Sequence, residues 1–360
     1  MLLGTAVMLV WLATLPSFGE LPQGERQTRI EASANYLSGE FHYTEPTSLY
    51  SNDASAGSWL RDSFSETKEH LRPSLPLPID KTDLAGLEPG KDVAVWLGHS
   101  SAFLQLDGKR ILIDPNFSAQ ASPISFIYSA FDGDYPYSDA NMPAIDVLVI
   151  SHDHWDHLDY PTLGALRSKV KAIVVPLGIG SHLERWGYAP EVIHELDWNQ
   201  HVAIAQGLTV HVLPARHFSG RGLRSNRTLF AGFLFETPQR KVFYSGDGGY
   251  GPHFAEIGKR FGPIDLALLE NGQYDTRWAQ IHMLPEEAVK AAQDLRAHSV
   301  LPVHAGRFAL ASHAWDDPYQ RISAASQGKA FRLLTPRMGQ VVDIGDDQQH
   351  FEAWWNAPGP

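Results

Sequence analysis

The sequence predicts an α/β protein in which two β-sheets pack face to face with helices on the outside, an αββα sandwich. Strand-like runs come first along the chain and are followed by a strand–helix–strand pattern, which is typical of layered sheets covered by helices. Polar side chains of metal-binding types also follow several of these strands. In layered α/β folds ligands are usually held at such strand ends.

The composition is that of a globular protein with a full core. The chain has 360 residues, of which 43% are hydrophobic and 19% are charged. Its net charge of -12 makes a nucleic acid an unfavourable partner. It has no cysteine, which excludes disulfides, thiolate metal ligands and a cysteine nucleophile. Any metal must therefore be held by histidine and carboxylate side chains.

The N-terminal residues 1–19 carry no charged side chain, and their apolar part has the length of a signal-peptide core. Ser17 and Gly19 are small and suit cleavage before Glu20, so we expect export to the bacterial envelope, as a periplasmic or membrane-associated protein. Because no lysine or arginine precedes the apolar part, an uncleaved membrane anchor and a buried N-terminal helix are the alternatives.

The rest of the chain is expected to form an N-terminal extension and one catalytic domain. Residues 20–90 are rich in proline, serine and glycine, so we predict an extension that wraps the core, either ordered or partly disordered. Residues 91–350 are expected to form the hydrolase domain. Within it, the aromatic-rich loop 116–144 is predicted to form a wall of a substrate cleft, with an insertion that serves only stability as the alternative.

The strands and helices of this domain are predicted from apolar runs and from the turn and helix-start residues between them. Asp107-Gly108 between two runs is a hairpin signal, and Pro285 with two glutamates after it indicates the start of an amphipathic helix. The strands are expected at 93–99, 103–106, 110–114, 145–150, 172–176, 192–196, 201–204, 208–212, 229–236, 241–244, 264–270 and 299–304, and the helices at 161–169 and 285–297.

A histidine-rich stretch directly follows the buried strand 145–150. It contains His152, His154, Asp156 and His157 within six residues. Neutral imidazole is a common metal ligand and carboxylate suits hard or borderline cations. On a turn, the first pair can point to one side and the second pair to the other, which suits two adjacent metal ions. The alternative is a polar surface loop that happens to carry histidines.

Further candidate ligands also stand where a strand gives way to a loop, namely His217, Asp247 and His304. Each of these residues alone is weak evidence for a metal site, because a histidine after a strand is often structural and Asp247 between glycines could serve a turn. Together with the histidine-rich stretch they form the pattern expected of a site on a rigid scaffold.

The order His-x-His-x-Asp-His, then His, Asp and His, resembles the ligand set of binuclear metallo-β-lactamase-fold hydrolases. Within that superfamily the chain resembles the branch of N-acylphosphatidylethanolamine-hydrolysing phospholipase D and its RomA-like or lactonase-like bacterial relatives. The resemblance lies within residues 93–312, at 96–99, 114–118, 150–160, 175–178, 195–198, 245–250, 256–263, 285–289 and 308–311.

This resemblance implies two mixed sheets and a pair of divalent metal ions, zinc first, with manganese or iron as alternatives. Two cations about 3.5–4 Å apart polarise a phosphoryl or carbonyl oxygen and lower the pKa of a bridging water, whose hydroxide attacks. The resemblance assigns His152, His154 and His217 to one ion, Asp156, His157 and His304 to the other, and Asp247 to both.

Outside this set the resemblance suggests supporting residues. His99 and Asp114 are expected to orient ligands, with plain structural roles as the alternative. His282 matches a position close to the substrate in the lipid-hydrolysing relatives, so we take it as a catalytic candidate beside Asp156 and Asp247. Tyr250 and Arg307 are expected to line the substrate cleft.

The implied function is hydrolysis of phosphodiesters in N-acylphosphatidylethanolamine-like or other glycerophospholipids. Glu270 and Asn271 depart from the small or apolar residues of the lipid-hydrolysing relatives, which leaves the lipid specificity open. A lactonase or other ester hydrolase, a β-lactam hydrolase and a non-catalytic metal-binding protein are the alternatives. The partner would be a small molecule or phospholipid, while peripheral membrane contact and a homodimer stay open.

Overall fold

The computed structural model describes residues 14–51, 70–124, 126–205, 207–222 and 224–356. Two seven-stranded sheets face each other, and helices cover their outer faces, which confirms the predicted αββα sandwich. The strands are β1 Tyr36–Leu37, β2 Glu40–Phe41, β3 Val93–Trp96, β4 Ala102–Leu106, β5 Lys109–Ile113, β6 Val147–Val149, β7 Ile173–Pro176, β8 Ile193–Leu196, β9 His201–Ala205, β10 Leu208–Pro214, β11 Ala231–Glu236, β12 Lys241–Tyr244, β13 Ile264–Glu270, β14 Ala297–Val303, β15 Arg332–Leu333 and β16 Val341–Asp343.

Both sheets are mixed, as the resemblance implied. The first has the order β16-β3-β4-β5-β6-β7-β8; its pairs are antiparallel as far as β5 and parallel from there on. The second has the order β15-β14-β13-β12-β11-β10-β9; it is parallel from β15 to β12 and antiparallel beyond. The helices are α1 Gly24–Glu31, α2 Tyr160–Leu166, α3 Gly180–Arg185, α4 His253–Phe261, α5 Pro285–Asp294 and α6 Asp317–Ala325.

The central strands are buried on both faces, which explains why their sequences are continuous apolar runs. In β6, Val147 and Val149 pack between the two sheets, whereas Leu148 faces outward and packs with Leu163 and Leu166 of α2. The same alternation in β13 separates the central core from the layer under α4, α5 and α6. The main core therefore lies between the sheets, and each outer face has a second apolar layer.

Several element boundaries differ from the predicted ones, and for two of them the backbone shows the reason. The helix expected over 285–297 ends at Asp294, because Arg296 adopts a left-handed conformation with φ 54° and β14 begins directly afterwards. The strand expected over 93–99 ends at Trp96, because the chain turns through positive φ at Gly98 and His99.

The N-terminal part packs onto the core where it is described. Ile30 of α1, Phe41 of β2 and Leu84 are fully or almost fully buried. Of the expected leader, residues 1–13 lie outside the described residues, and residues 14–19 include a short 3₁₀ turn at Pro16–Phe18. Among the described residues, no helix combines the length and apolar character needed to cross a membrane. The segment boundaries at 19 and 90 stay predictions.

Candidate metal centre

The candidate ligands come together at one edge of the sandwich, where strand ends from both sheets meet. The histidine-rich stretch 151–159 follows β6 of the first sheet. His217 follows β10, Asp247 follows β12 and His304 follows β14, all in the second sheet. The cluster therefore depends on how the two sheets are packed.

Backbone contacts fix this edge. His99 N donates to Ala305 O at 3.0 Å and His304 N donates to His99 O at 2.9 Å, which joins the end of β3 to the end of β14. His99, Asp114 and His304 have φ values of 52°, 38° and 67°. A left-handed conformation is uncommon for such residues and persists where the surroundings impose it. Three of them around one cluster indicate a site held in a defined geometry.

One group consists of His152, His154 and His217, whose potential ligand atoms lie within 4.8 Å of one another. His154 Nδ1 lies 2.8 Å from His152 Nε2 and 3.3 Å from His217 Nε2. His217 Nδ1 donates to the Ile281 carbonyl at 2.9 Å, which leaves its Nε2 as the free ring nitrogen. These are the three residues predicted to hold one ion.

The second group brings Asp156, His157 and His304 together with His99. Asp156 Oδ2 lies 2.8 Å from His99 Nε2 and 3.3 Å from His157 Nε2. His304 Nδ1 donates to Ser100 Oγ at 2.8 Å, which directs its Nε2 to the cluster. His99 was expected to orient a ligand, and its contact with the Asp156 carboxylate is compatible with that role.

The carboxylate of Asp247 lies between the two groups. Its Oδ2 is 3.1 Å from His157 Nε2 and 3.2 Å from His304 Nε2. The same oxygen is 3.9 Å from the Nε2 atoms of both His152 and His217. This is the position expected of a carboxylate that serves both groups.

Asp114 supports the cluster from behind. His157 Nδ1 donates to its Oδ2 at 2.7 Å, and the Tyr244 hydroxyl donates to the same oxygen at 2.6 Å. The Ser151 backbone N–H donates to its other oxygen at 2.7 Å. The orienting role expected for Asp114 agrees with this placement, whereas Tyr244 carries no local sequence signal and was missed.

Burial controls the protonation of the cluster. It lowers the pKa of His154 to about 4 and the pKa values of His152, His217 and His304 well below the usual range, so these imidazoles are neutral, as ligands must be. Burial also raises the pKa of Asp247 to about 7.

His157 is the exception among these imidazoles. Burial alone would lower its pKa, but the charges of Asp247 and Asp156 outweigh burial and raise it well above the usual range. A proton on His157 thus balances the carboxylates, and a divalent cation could take over that role.

Unpartnered atoms test whether the residues fit a metal. His157 Nε2, His304 Nε2 and Asp247 Oδ1 are buried and have no hydrogen-bond partner among the described residues. Buried polar atoms are rarely left without a partner, and an ion is one explanation. Imidazole and carboxylate suit zinc, and they also suit iron or manganese. The cluster therefore fits divalent metal ions without selecting one.

His282 lies beside the cluster and is held by a residue whose role the sequence did not reveal. Its ring is nearly parallel to that of His304, with centroids 5.5 Å apart, and 5.0 Å from that of His217. Its Nδ1 lies 2.5 Å from Oε1 of Glu270, whose other oxygen accepts from the Gly248 N–H. Burial raises the pKa of Glu270 well above its usual range and lowers that of His282. Glu270 thus lies beside the cluster and contacts His282.

Tyr250 and Arg307 are engaged in other contacts. The Tyr250 hydroxyl donates to the Asp294 carboxylate on α5. Arg307 is 3% exposed, its guanidinium lies 3.3 Å from the ring centroid of Tyr135, and its Nη2 donates to the Ser118 carbonyl at 2.7 Å. These contacts give both residues packing roles, and their expected contacts with substrate stay predictions.

The aromatic loop 116–144 lies against this side of the site. The Phe131 N–H donates to the Arg307 carbonyl at 2.7 Å. Burial, and the nearby Asp156 charge, raise the pKa of Tyr128. Phe126, also in the loop, is 81% exposed. The loop thus contacts Arg307 and carries an exposed aromatic side chain, and its role as a cleft wall stays a prediction.

Comparison with known proteins identifies the relatives of this chain. The Beta-lactamase superfamily domain matches residues 109–305. An uncharacterized protein of Mycobacterium tuberculosis is 39% identical over 330 residues, covering 90% of this chain and 88% of that protein. Outer membrane protein RomA of Klebsiella pneumoniae is 67% identical over 106 residues, covering 29% and 80%. N-acyl-phosphatidylethanolamine-hydrolyzing phospholipase D 1 of Caenorhabditis elegans is 29% identical over 270 residues, covering 70% and 76%.

Two solved structures have the same fold. Igni18, a metallo hydrolase from Ignicoccus hospitalis, superposes with a TM-score of 0.51 at 21% identity, covering 69% of this chain and 97% of its own. CmlA, a diiron β-hydroxylase from Streptomyces venezuelae, superposes with a TM-score of 0.54 at 20% identity, covering 71% and 55%. At these identities the likeness concerns the fold alone.

Proposed function

The chain belongs to the beta-lactamase superfamily as a metal-dependent hydrolase, and we propose that it uses a binuclear centre to cleave phosphodiesters of glycerophospholipids. The observation that carries the proposal is the position of Asp247 between two complementary groups of ligands. His152, His154 and His217 would hold one ion, and Asp156, His157 and His304 would hold the other. When bound, such ions supply Lewis-acid activation of a phosphoryl oxygen and of water.

The protein's own residues would orient the reaction around this centre. Asp114 holds the His157 ring through Nδ1, and Ser100 holds the His304 ring in the same way, so that both Nε2 atoms face the cluster. Glu270 occupies Nδ1 of His282, which leaves Nε2 to contact the phosphoryl or leaving-group oxygen of the substrate. His282 would therefore position the scissile bond.

The choice of a phospholipid rests on relatives and on the aromatic loop. The similar C. elegans protein is named for hydrolysis of N-acylphosphatidylethanolamine, and the match covers 76% of it. In this chain the aromatic loop 116–144 carries Phe126, which is 81% exposed. An acyl chain would lie along this loop.

We also propose that the protein works at the cell envelope, in peripheral contact with a membrane. The similar Klebsiella protein is named an outer membrane protein. Residues 1–19 of this chain are uncharged and largely apolar. Phe126 and Tyr128, which are 81% and 38% exposed, would reach toward the lipid.

A substrate panel tests the proposal. The metal-loaded protein would be assayed with N-acylphosphatidylethanolamine, ordinary phospholipids, bis-aryl phosphodiesters and simple lactones, with His154→Ala as the control. The proposal predicts release of phosphatidic acid that disappears in the control. Turnover of lactones alone would reject the phospholipid substrate while keeping the metal site.

Hydrolysis of a lactone or another uncharged ester is the second candidate, and Glu270 is the observation that favours it. This fully buried carboxyl group lies next to His282 and within 4.8 Å of potential ligand atoms of His282 and His304. Burial raises the pKa of Glu270, so only above that raised pKa would its charge repel an anionic phosphodiester and leave a neutral ester unaffected. The lactone arm of the same panel distinguishes the two candidates.

A further inference from the structure

The short segment Leu15–Glu20, of which the sequence assigns residues 15–19 to the end of a leader, is linked to the metal-binding loop by two separate routes. From this geometry we propose that the segment is a strap that positions the loop 151–159, and that the active protein retains it. The proposal needs the metal centre but no assumption about the substrate.

The first route runs through Arg221, which is 5% exposed. Its Nε and Nη2 donate to the Ser17 carbonyl at 3.1 and 2.8 Å. Its Nη1 donates to the carbonyls of Asp153 and Leu158 at 2.8 and 2.7 Å. One buried guanidinium therefore joins the strap to both ends of the loop that carries four candidate ligands.

Trp155, between the ligands His154 and Asp156, adds an aromatic contact to this route. The Arg221 guanidinium lies 4.0 Å from its ring centroid. Phe18 of the strap packs edge to face against the same indole ring, with centroids 4.9 Å apart and an interplanar angle of 79°. Such pairs restrict the orientation of the ring and hence of the backbone between the two ligands.

The second route runs through His182 on α3. The Glu20 N–H donates to His182 Nδ1 at 3.0 Å, and His182 Nε2 lies 3.5 Å from the carboxylate of Asp153. Asp153 separates the ligands His152 and His154, and its Oδ1 accepts from the Gly220 N–H at 2.6 Å. His182 thus links the strap to Asp153, the residue that separates two ligands.

The strap is seated closely enough that a single methyl group would displace it. Gly19 has φ +69°, and a Cβ atom there would lie 2.0 Å from Nδ1 of the buried His182 ring. Trp186 fixes the other end, since its Nε1 donates to the Pro16 carbonyl at 2.7 Å. A disposable leader has no need of such a fit, whereas a structural segment does.

Two matched pairs of variants in the full chain test the strap. Gly19→Ala is compared with Gly24→Ala, because Gly24 also has positive φ but has nothing within 4 Å of its would-be Cβ. Phe18→Ala, which introduces no clash, is compared with Phe126→Ala, whose phenyl ring is 81% exposed. Zinc affinity is measured by chelator competition, and circular dichroism verifies that each variant is folded.

We expect zinc affinity to fall about tenfold or more in Gly19→Ala and to fall measurably in Phe18→Ala. The two controls should stay within about twofold of the wild type. Equal zinc affinity in both members of both pairs would overturn the positioning role. The N-terminus of the protein recovered from an exporting bacterial host provides an independent test: a start at or before Leu15 supports retention, and a start at Glu20 overturns it.

Discussion

Asp247 illustrates how much of the site depends on one carboxylate. Its Oδ2 faces His157 and His304 at 3.1 and 3.2 Å, and no other carboxylate oxygen among the described residues is placed between both groups in this way. Asp247→Ala should therefore lower the rate of hydrolysis of every substrate at least about a thousandfold, because several kcal/mol of transition-state stabilisation would depend on both ions. Steady-state kinetics checks this, with the exposed Asp132→Ala as the control. Full turnover in Asp247→Ala would contradict the shared role of the carboxylate.

Glu270 provides a second test at the level of single residues, namely of its contact with His282. Glu270→Ala removes the group that holds Nδ1 of His282, so we expect kcat to fall about 10- to 100-fold while zinc affinity changes little. Glu270→Gln keeps an oxygen and an N–H at that place and should restore most of the activity. If the alanine and glutamine variants are equally impaired, orientation of His282 is not the function of Glu270.

The sequence identifies residues of this kind only when they form a local pattern. Three histidines and an aspartate within six residues are visible without a structure. The structure brings them together in overlapping groups, and their assignment to two ions stays a prediction. Glu270 and Arg221 act through contacts with His282 and with Ser17, the latter 204 positions away in the chain. Local spacing carries no information about such pairs, because they depend on how the sheets and the N-terminal part pack.

At the scale of elements, α4 carries a titratable group at its first residue. His253 is 5% exposed and lies 2.8 Å through Nδ1 from the Tyr43 hydroxyl. Burial, and then the charge of Arg216, lower its pKa from 6.5 to about 3. Below pH 6.5 the unfolded chain therefore binds a proton at His253 that the folded chain does not bind. The contribution of neutral His253 to the free energy of unfolding is present above pH 6.5 and is lost as the pH falls toward 3.

His253→Asn replaces the ring with a side chain that does not titrate but can still accept the Tyr43 hydrogen bond. Between pH 6.5 and 4 the free energy of unfolding of the wild type should fall by up to about 1.4 kcal/mol per pH unit more than that of the variant. Urea denaturation at several pH values measures the difference. Parallel pH profiles for the two proteins would show that His253 is not the group responsible.

The loop 116–144 carries the prediction about the lipid. Phe126 is 81% exposed and touches none of the candidate ligands, so Phe126→Ser should leave hydrolysis of a soluble bis-aryl phosphodiester unchanged. Activity of the variant on phospholipid vesicles should fall about tenfold or more, because burial of a phenyl ring contributes about 1.5–3 kcal/mol. Assays with the two substrates side by side measure the ratio. Equal effects on both would place Phe126 outside any lipid contact.

Element boundaries show where sequence reasoning fails for physical reasons. Arg296 takes the left-handed position after α5, where glycine is the usual signal for a helix end, so the helix was predicted three residues too long. Helix α4 was missed although it is amphipathic, because it lies between a glycine-rich turn and Gly262. The central strands were predicted well, since burial on both faces gives them continuous apolar sequences.

At the scale of the whole molecule, the site exists because two mixed sheets meet at one edge. The first sheet supplies His152, His154, Asp156 and His157, and the second supplies His217, Asp247 and His304. The sequence predicted this architecture from the order of its elements and from a family resemblance. It could not place the N-terminal segment, because the contacts of Ser17 and Phe18 involve residues far away in the chain.

The most direct test of the account is the number of divalent metal ions per chain, measured on the full-length protein by elemental analysis and native mass spectrometry. We expect two ions in the wild type. We expect one in His304→Ala, which lacks a ligand of the second group, and one in His154→Ala, which lacks a ligand of the first. A single ion in the wild type, or two in both variants, would contradict the binuclear centre.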